Sequence, residues 1–139
     1  MKNLIIGMVL LNSILFANVG VIKKIEGIVE IKRKGDIFLA KVGTTIENGD
    51  IVSTKAKSSV GITFDDGTRV SLEEKSIFII NKFIVKPNQK KYNVDLELRT
   101  GKGMFTTGKI GKLSPKSFKL KIPKGAVGIR GTKFIVEVE

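Results

Sequence analysis

The chain has 139 residues, of which 25 are lysine or arginine and 13 are aspartate or glutamate, so its net charge is +12. It contains no histidine and no cysteine, which excludes disulfide frameworks, thiolate metal sites, thiol nucleophiles and histidine-based acid–base catalysis. With 42% apolar residues, the chain can form a hydrophobic core, and its length fits one domain.

The first segment, residues 1–17, has the pattern of a cleavable secretory signal peptide. Lys2 supplies the positive amino-terminal region, an apolar stretch runs from Leu4 to Phe16, and Ala17 occupies the last position before cleavage. The alternative is an uncleaved membrane anchor, but the apolar stretch is shorter than the ~20 residues that a span requires. We therefore expect cleavage after Ala17 and a periplasmic or secreted domain over residues 18–139 that has no transmembrane span.

From residue 18 onward the sequence predicts strands, because apolar and polar residues alternate with a period of two. The predicted strands are Gly20–Arg33 with a break at Gly27, Ile37–Ala40, Ile51–Val52, Ser59–Phe64, Thr68–Leu72, Ser76–Lys86, Tyr92–Arg99, Met104–Phe105, Phe118–Ile122 and Phe134–Val138. An open loop is predicted between the strand at Met104 and the strand at Phe118. No apolar stripe has helical spacing, so no substantial helix is expected after the signal peptide. The chain is predicted to be all-β, and periodicity alone does not separate a sandwich, a barrel and a β-solenoid.

Two turns carry acidic residues. Asn48-Gly49-Asp50 is a strong turn signal, since Asn-Gly tolerates positive φ angles. Asp65-Asp66-Gly67 predicts a hairpin turn, and it lacks the ligand spacing and distal glutamate of an EF-hand calcium loop. Its two carboxylates, like those of Glu73-Glu74, are expected to point apart and stay solvated, which argues against a glycosidase pair.

Two glycine- and lysine-rich runs invite comparison with a phosphate-binding loop. Gly101-Lys102-Gly103 and Gly108–Lys112 lack the Gly-Lys-Ser/Thr ending that such a loop requires, so we interpret them as basic loop. The sequence thus predicts no enzymatic activity, no cofactor and no metal site.

Several different short motifs follow one another along the chain. They are G-x-I-x-x-x-x-G-x-V-x-I from Gly20, Asn48–Thr54, Ser58-Ser59-Val60, Phe64–Thr68, Val70-Ser71-Leu72, and Ile122–Phe134 with Arg130-Gly131-Thr132 inside it. Taken together, these motifs resemble the FecR domain family. The resemblance implies an extracytoplasmic all-β domain, similar to the twisted β-solenoid-like periplasmic part of FecR proteins, although a sandwich-like arrangement also fits the pattern.

The motif residues have two interpretations, structural or recognition. We interpret the following set as structural: Gly49, Asp50, Asp66, Gly67, Arg130, Gly131, Thr132 and Phe134. At the Arg-Gly-Thr motif, the glycine would provide a backbone conformation that a side chain forbids, and the arginine would pack or pair beside it. The alternative is that Arg-Gly-Thr forms a recognition loop.

In fuller FecR proteins the domain belongs to an inner-membrane anti-sigma regulator that relays the status of a siderophore receptor. We expect this chain to depart from that pattern, with a signal peptide in place of the cytoplasmic anti-sigma segment and without the family's receptor-contacting region after the last strand. The resemblance therefore implies a stand-alone, secreted FecR domain that binds a partner. Signalling through contact with a receptor or regulator of iron uptake is the alternative.

Positive charge is concentrated in the second part of the chain. Residues 18–85 carry 11 basic against 9 acidic residues, whereas residues 86–133 carry 13 against 2. The candidate patch for an anionic ligand or a partner is Lys109, Lys112, Lys116, Lys119, Lys121 and Lys124. Nucleic acid is disfavoured, since 21 of the 25 basic residues are lysine and base recognition favours arginine. We expect an envelope protein or an anionic envelope glycan, with a solvated face that binds nothing as the alternative.

Overall fold

The computed structural model describes residues 18–128 and 132–139. The predicted signal peptide, Arg130 and Gly131 lie outside the described residues. The strands are β1 (Asn18–Glu26), β2 (Val29–Arg33), β3 (Asp36–Leu39), β4 (Thr45–Glu47), β5 (Ile51–Thr54), β6 (Ser59–Phe64), β7 (Arg69–Leu72), β8 (Ile77–Lys86), β9 (Lys91–Thr106), β10 (Phe118–Ile122), β11 (Gly125–Val127) and β12 (Lys133–Val138). One short helix, α1 (Lys109–Leu113), and 3-10 turns at Pro87–Gln89 and Pro115–Ser117 complete the described part.

The strands form one curled sheet, and β9 belongs to both of its halves. In the first half-sheet the order is β3-β2-β5-β8-β9-β10-β11, using residues 91–100 of β9. In the second half-sheet the order is β4-β1-β6-β7-β9-β12, using residues 101–106 of β9. Neighbouring strands are antiparallel, except that β10 runs parallel to β9. A single long strand therefore joins the two halves.

Gly101 marks the point where β9 passes from one half-sheet to the other. Its φ angle is +99°, in the left-handed region that glycine tolerates and other residues rarely adopt. A Cβ atom at this position would lie 2.5 Å from the Cα atom of Ser76. The sequence predicted two strands separated near this glycine, and the structure shows instead a continuous 16-residue strand with an irregularity inside it.

The two half-sheets face each other across a shared core. Phe64 of the second half stacks on Phe83 of the first, with ring centroids 4.3 Å apart. Phe78 of the first half packs against Phe105 of the second at 5.9 Å. Because aromatic rings from both halves meet in the middle, the curled sheet buries its inner face as a sandwich does. The predicted all-β class is confirmed.

The largest departure from the predicted strands lies between β9 and β10. The open loop predicted there contains α1, whose Ile110 is fully buried. Its five residues are too few to show an apolar stripe in the sequence. No helix in the described part of the chain is long and apolar enough to cross a membrane.

Candidate functional site

The Asn48-Gly49-Asp50 turn is fastened to strand β8. Gly49, with a φ angle of +93°, donates its backbone N–H to the carbonyl oxygen of Ile80 at 2.6 Å. The side-chain Oδ1 atom of Asn48 accepts the backbone N–H of Phe83 at 2.8 Å. The predicted turn is confirmed. Its Gly49 backbone and its Asn48 side chain hold the end of β4, in the second half-sheet, against β8, in the first half-sheet.

Asp50 is completely buried and is bound by Arg33. Its Oδ1 atom accepts from Nε of Arg33 at 2.9 Å, and its Oδ2 atom accepts from Nη2 of Arg33 and from the backbone N–H of Glu47, each at 2.8 Å. Arg33 also contacts the Glu47 carboxylate at 2.9 Å and lies over the ring of Phe38. The hydrogen bond to Asp50 raises the pKa of Arg33 above its ordinary value, although burial opposes it. This pair is a structural clamp, because both oxygens of the buried Asp50 carboxylate accept hydrogen bonds from groups within the fold.

Asp66 occupies a second structural node, in the β6–β7 turn. Its Oδ1 atom accepts the backbone N–H of Thr68 at 2.8 Å, and its Oδ2 atom accepts the Thr68 hydroxyl at 2.9 Å and the N–H of Ile110 at 3.0 Å. The Thr68 hydroxyl oxygen in turn accepts the N–H of Gly108 at 3.0 Å. The turn thereby fixes the start of α1. The prediction that Asp66 stays solvated is wrong, since the turn between Phe64 and Arg69 buries its carboxylate against the first turn of α1.

Asp65, its neighbour, remains exposed. Two effects raise the pKa of Asp65 above its ordinary value. Partial burial is the larger, and repulsion from the carboxylate of Asp66 is the smaller. The ionised form of Asp65 is thus disfavoured in the folded protein, whereas the carboxylate of Asp66 is held by N–H and O–H donors.

The Asp66→Asn variant is expected to lose about 1–3 kcal/mol of unfolding free energy, because one acceptor oxygen is replaced by a donor facing N–H groups. Asp65→Asn is the matched control, and it should leave stability unchanged or raise it slightly above the pH at which Asp65 ionises in the unfolded chain. Urea unfolding at neutral pH measures both. Equal losses in the two variants would contradict the assigned roles.

A third buried polar cluster surrounds Ser76. Its hydroxyl donates to the carbonyl oxygen of Glu73 at 2.7 Å and accepts the N–H of Lys102 at 3.2 Å, while Thr54 donates to the same Glu73 carbonyl at 2.6 Å. In the described part of the chain, no buried side-chain nitrogen or oxygen lacks a hydrogen-bond partner. No group of three potential metal ligands occurs among the same residues.

The structure divides the predicted lysine patch into two groups. Lys119 and Lys121 share the outer face of β10, and the parallel register sets them opposite Asp95 and Glu97 of β9. The Nζ atom of Lys121 lies 3.2 Å from Oδ2 of Asp95. These two lysines are thus partly compensated by carboxylates, which the sequence could not reveal because 26 residues separate Lys121 from its partner.

The other four lysines are all exposed and lie on the segment between β9 and β11: Lys109, Lys112, Lys116 and Lys124. Lys109 and Lys112 are on α1, Lys116 is in the 3-10 turn, and Lys124 is in the turn after β10. Among the residues that the structure describes, none of the four forms an ion pair. We call these four side chains the uncompensated lysines.

The described residues of the late motif are structural. The carbonyl oxygen of Thr132 accepts the N–H of Thr107 at 2.8 Å. Phe134 stacks on Phe105 with ring centroids 5.3 Å apart and meets Phe118 edge-on. The end of the motif therefore closes the core. The predicted roles of Arg130 and Gly131 belong to residues that lie outside the described part of the chain.

A shallow hollow on the outer face of the second half-sheet was not predicted. It has a volume of about 350 Å³, and Gly61 and Ser71 form its floor between Lys24 and the apolar side chains of Met104 and Ile135. A glycine inside the predicted strand Ser59–Phe64 was the available signal, since a missing side chain on an outer face leaves a gap.

A family model described as FecR protein matches residues 50–139. The match includes Asp50, the Asp66 node and the late motif, whereas the opening strand pair from Gly20 to Gly35, which contains Arg33, lies before it. No significant match was found among curated proteins or among solved structures. Since the match covers well over half of the sequence and the fold is all-β, the chain belongs to the FecR family.

Proposed function

We propose that this protein is an extracytoplasmic, non-catalytic binding domain whose uncompensated lysines contact an anionic ligand of the cell envelope. FecR membership supports a signalling-related role outside the cytoplasm, and the predicted signal peptide agrees with it. The observation that carries the proposal is the group of exposed lysines without carboxylate partners on the segment between β9 and β11.

The charge distribution supports an anionic ligand. Exposed lysines that form no ion pair within the described part of the chain create a positive potential, which attracts polyanions and accelerates their association. Because the lysines are exposed, their attraction acts through water and weakens as added salt screens it. Binding through this surface should therefore be strongest at low ionic strength.

The buried acids support a non-catalytic role. Asp50 and Asp66 are the buried carboxylates of the described part, and both are fully engaged by inward-facing donors. A general acid or base must instead reach a substrate within hydrogen-bond distance. Neither carboxylate has an oxygen free for that purpose.

The first test measures co-sedimentation of purified protein with peptidoglycan sacculi. Replacing the four uncompensated lysines together by glutamine is expected to reduce the bound fraction several-fold at low salt, because the attracting charges are removed. Replacing Lys119 and Lys121 by glutamine should reduce it less, since both already face carboxylates on β9.

The matched control replaces four exposed lysines elsewhere by glutamine: Lys23, Lys41, Lys75 and Lys82. It changes the net charge by the same amount, so equal losses in the two sets would show that only total charge matters. Wild-type protein that fails to sediment with sacculi at any salt concentration would overturn the envelope-glycan proposal.

The family match favours a second candidate, contact with an outer-membrane receptor or a membrane regulator in an iron-uptake signalling system. A pull-down from envelope extract distinguishes the two candidates. Capture of a receptor or regulator that survives high salt and is unaffected by the four glutamines would favour signalling contact over glycan binding.

A further inference from the structure

Strand β3 is an open edge of the first half-sheet. It pairs with β2 on one side, and no strand of the described ranges, 18–128 and 132–139, lies on the other, so it ends the sheet order. An open edge presents backbone N–H and C=O groups to any strand that approaches it.

The residues whose backbone groups point outward can be identified from the β2–β3 hairpin. Its two-residue turn, Lys34-Gly35, has φ angles of 51° and 88°, as in a type I′ turn. The flanking pair, Arg33 and Asp36, is then hydrogen-bonded, and hydrogen-bonded and non-hydrogen-bonded pairs alternate beyond it. Ile37 and Leu39 occupy the non-hydrogen-bonded pairs. Their N–H and C=O groups therefore face the open edge.

The same two residues carry exposed apolar side chains. Ile37 is 62% exposed and Leu39 is 63% exposed, and both lie on the outer face of the sheet. Phe38 between them points inward to the core side. Ile28 and Val42, which are 54% and 64% exposed, flank the hairpin in sequence. Apolar surface on an unprotected edge is a feature that monomeric proteins avoid.

We propose that β3 pairs in antiparallel fashion with β3 of a second copy of this chain, around a twofold axis that passes beside Phe38. This register sets Ile37 of each copy opposite Leu39 of the other. Both residues direct their backbone groups outward, so they form hydrogen-bonded pairs on either side of the axis. The twofold axis places the outer face of β3 in one copy on the same side as the outer face of β3 in the other copy. The exposed isoleucine of one copy and the exposed leucine of the other therefore cover each other.

Charges beside the edge complement this register. Within each copy, Ile37 is the cross-strand neighbour of Lys32 and Leu39 is the neighbour of Glu30. Across the proposed interface each apolar pair therefore lies between a lysine of one copy and a glutamate of the other. Each apolar pair thus has a positive charge at one end and a negative charge at the other, and like charges are not brought together beside either pair.

The other edges fit a partner strand less well. On β12 the exposed Ile135 lies between Lys133 and Glu137 on the outer face, and charges of this kind protect an edge. β11 is three residues long, and β4 carries Glu47, which is engaged by Arg33. The self-pairing surface is distinct from the uncompensated lysines, so it stands or falls independently of the proposed ligand.

The test measures molar mass by light scattering and sedimentation velocity over a range of protein concentrations. A short strand buries less than the ~1,200 Å² of a standard interface, so we expect a weak dimer that dissociates on dilution. Wild-type protein should approach twice the monomer mass at high concentration. The double variant Ile37→Lys and Leu39→Lys should remain monomeric with an unchanged melting temperature, because neither side chain lies in the core.

Ile135→Lys is the matched control, since it makes the same change at an isoleucine that is 58% exposed on another edge strand. It should dimerise like the wild type. Wild-type protein that stays monomeric at the highest concentrations would overturn the proposal. So would a dimer that the β3 double variant does not disrupt, or one that Ile135→Lys disrupts equally.

A second measurement tests the register. The chain has no cysteine, so Ile37→Cys and Leu39→Cys variants each carry a single thiol. Oxidation of an equimolar mixture should give the mixed disulfide well above the twofold excess over each homodimer that random pairing produces, because the two positions are directly opposite only between unlike variants. Only the twofold excess of random pairing, or less, would contradict this register.

Discussion

Replacing Asp50 by alanine is expected to lower the unfolding free energy by about 3–5 kcal/mol, the cost of removing one partner from a buried ion pair. The guanidinium of Arg33 would lose two hydrogen bonds to the carboxylate, and the backbone N–H of Glu47 would lose its acceptor. The consequence extends beyond one turn, because the clamp links β2 to the segment between β4 and β5. Denaturant unfolding followed by circular dichroism measures the change.

Asp95→Ala is the matched control for Asp50. Asp95 pairs with Lys121 at the surface, where an ion pair contributes about 0–1 kcal/mol. A loss at Asp50 no larger than the loss at Asp95 would show that the buried clamp does not stabilise the fold. If Asp50→Ala fails to fold, Asp50→Asn retains the shape and one acceptor, and it should show a smaller loss in the same direction.

The second large effect is expected at Gly101. Alanine here must adopt a φ angle of +99°, which costs about 1–2 kcal/mol for a residue with a Cβ atom. The added methyl group must also displace Ser76, whose Cα atom would lie 2.5 Å away. Overpacking of this kind adds about 1–3 kcal/mol. The Gly101→Ala variant should therefore lose several kcal/mol of stability, measured as a lowered melting temperature and denaturation midpoint.

Gly43 separates these two contributions. Its φ angle of +95° is close to that of Gly101, but a Cβ atom there would meet nothing within 4 Å. Gly43→Ala should lose only the conformational part. If the two alanine variants lose the same amount of stability, crowding against Ser76 has no role, and the tight passage of β9 is not a constraint.

The alternation of apolar and polar residues was enough to predict most strands. Val60, Ile62 and Phe64 were placed on one face, and all three are buried. Alternation indicates which side chains face inward, but it does not indicate which strand lies opposite. The single strand through Gly101 was missed for a related reason, since a glycine that ends one strand and a glycine that bends it look the same in sequence.

The candidate site was predictable in composition but not in arrangement. The lysines were identified from their density along the chain, and their side chains are exposed in the structure. Their division into two groups depends on the parallel register between β10 and β9, which is a tertiary property. Likewise, Asp50 was recognised as a turn residue, while its partner Arg33 lies 17 residues away and was recognised only as the end of a strand.

Strand β9 has a consequence for how the domain opens. It is hydrogen-bonded on both sides along much of its length, first by β8 and β10 and then by β7 and β12. Neither half-sheet can separate from the other without breaking this strand, so the domain should unfold as one cooperative unit. Amide hydrogens of β9 within residues 94–97 and 103–106, where the strand is paired on both sides, should exchange with solvent only through global unfolding, whereas those of the edge strands should exchange through local fraying.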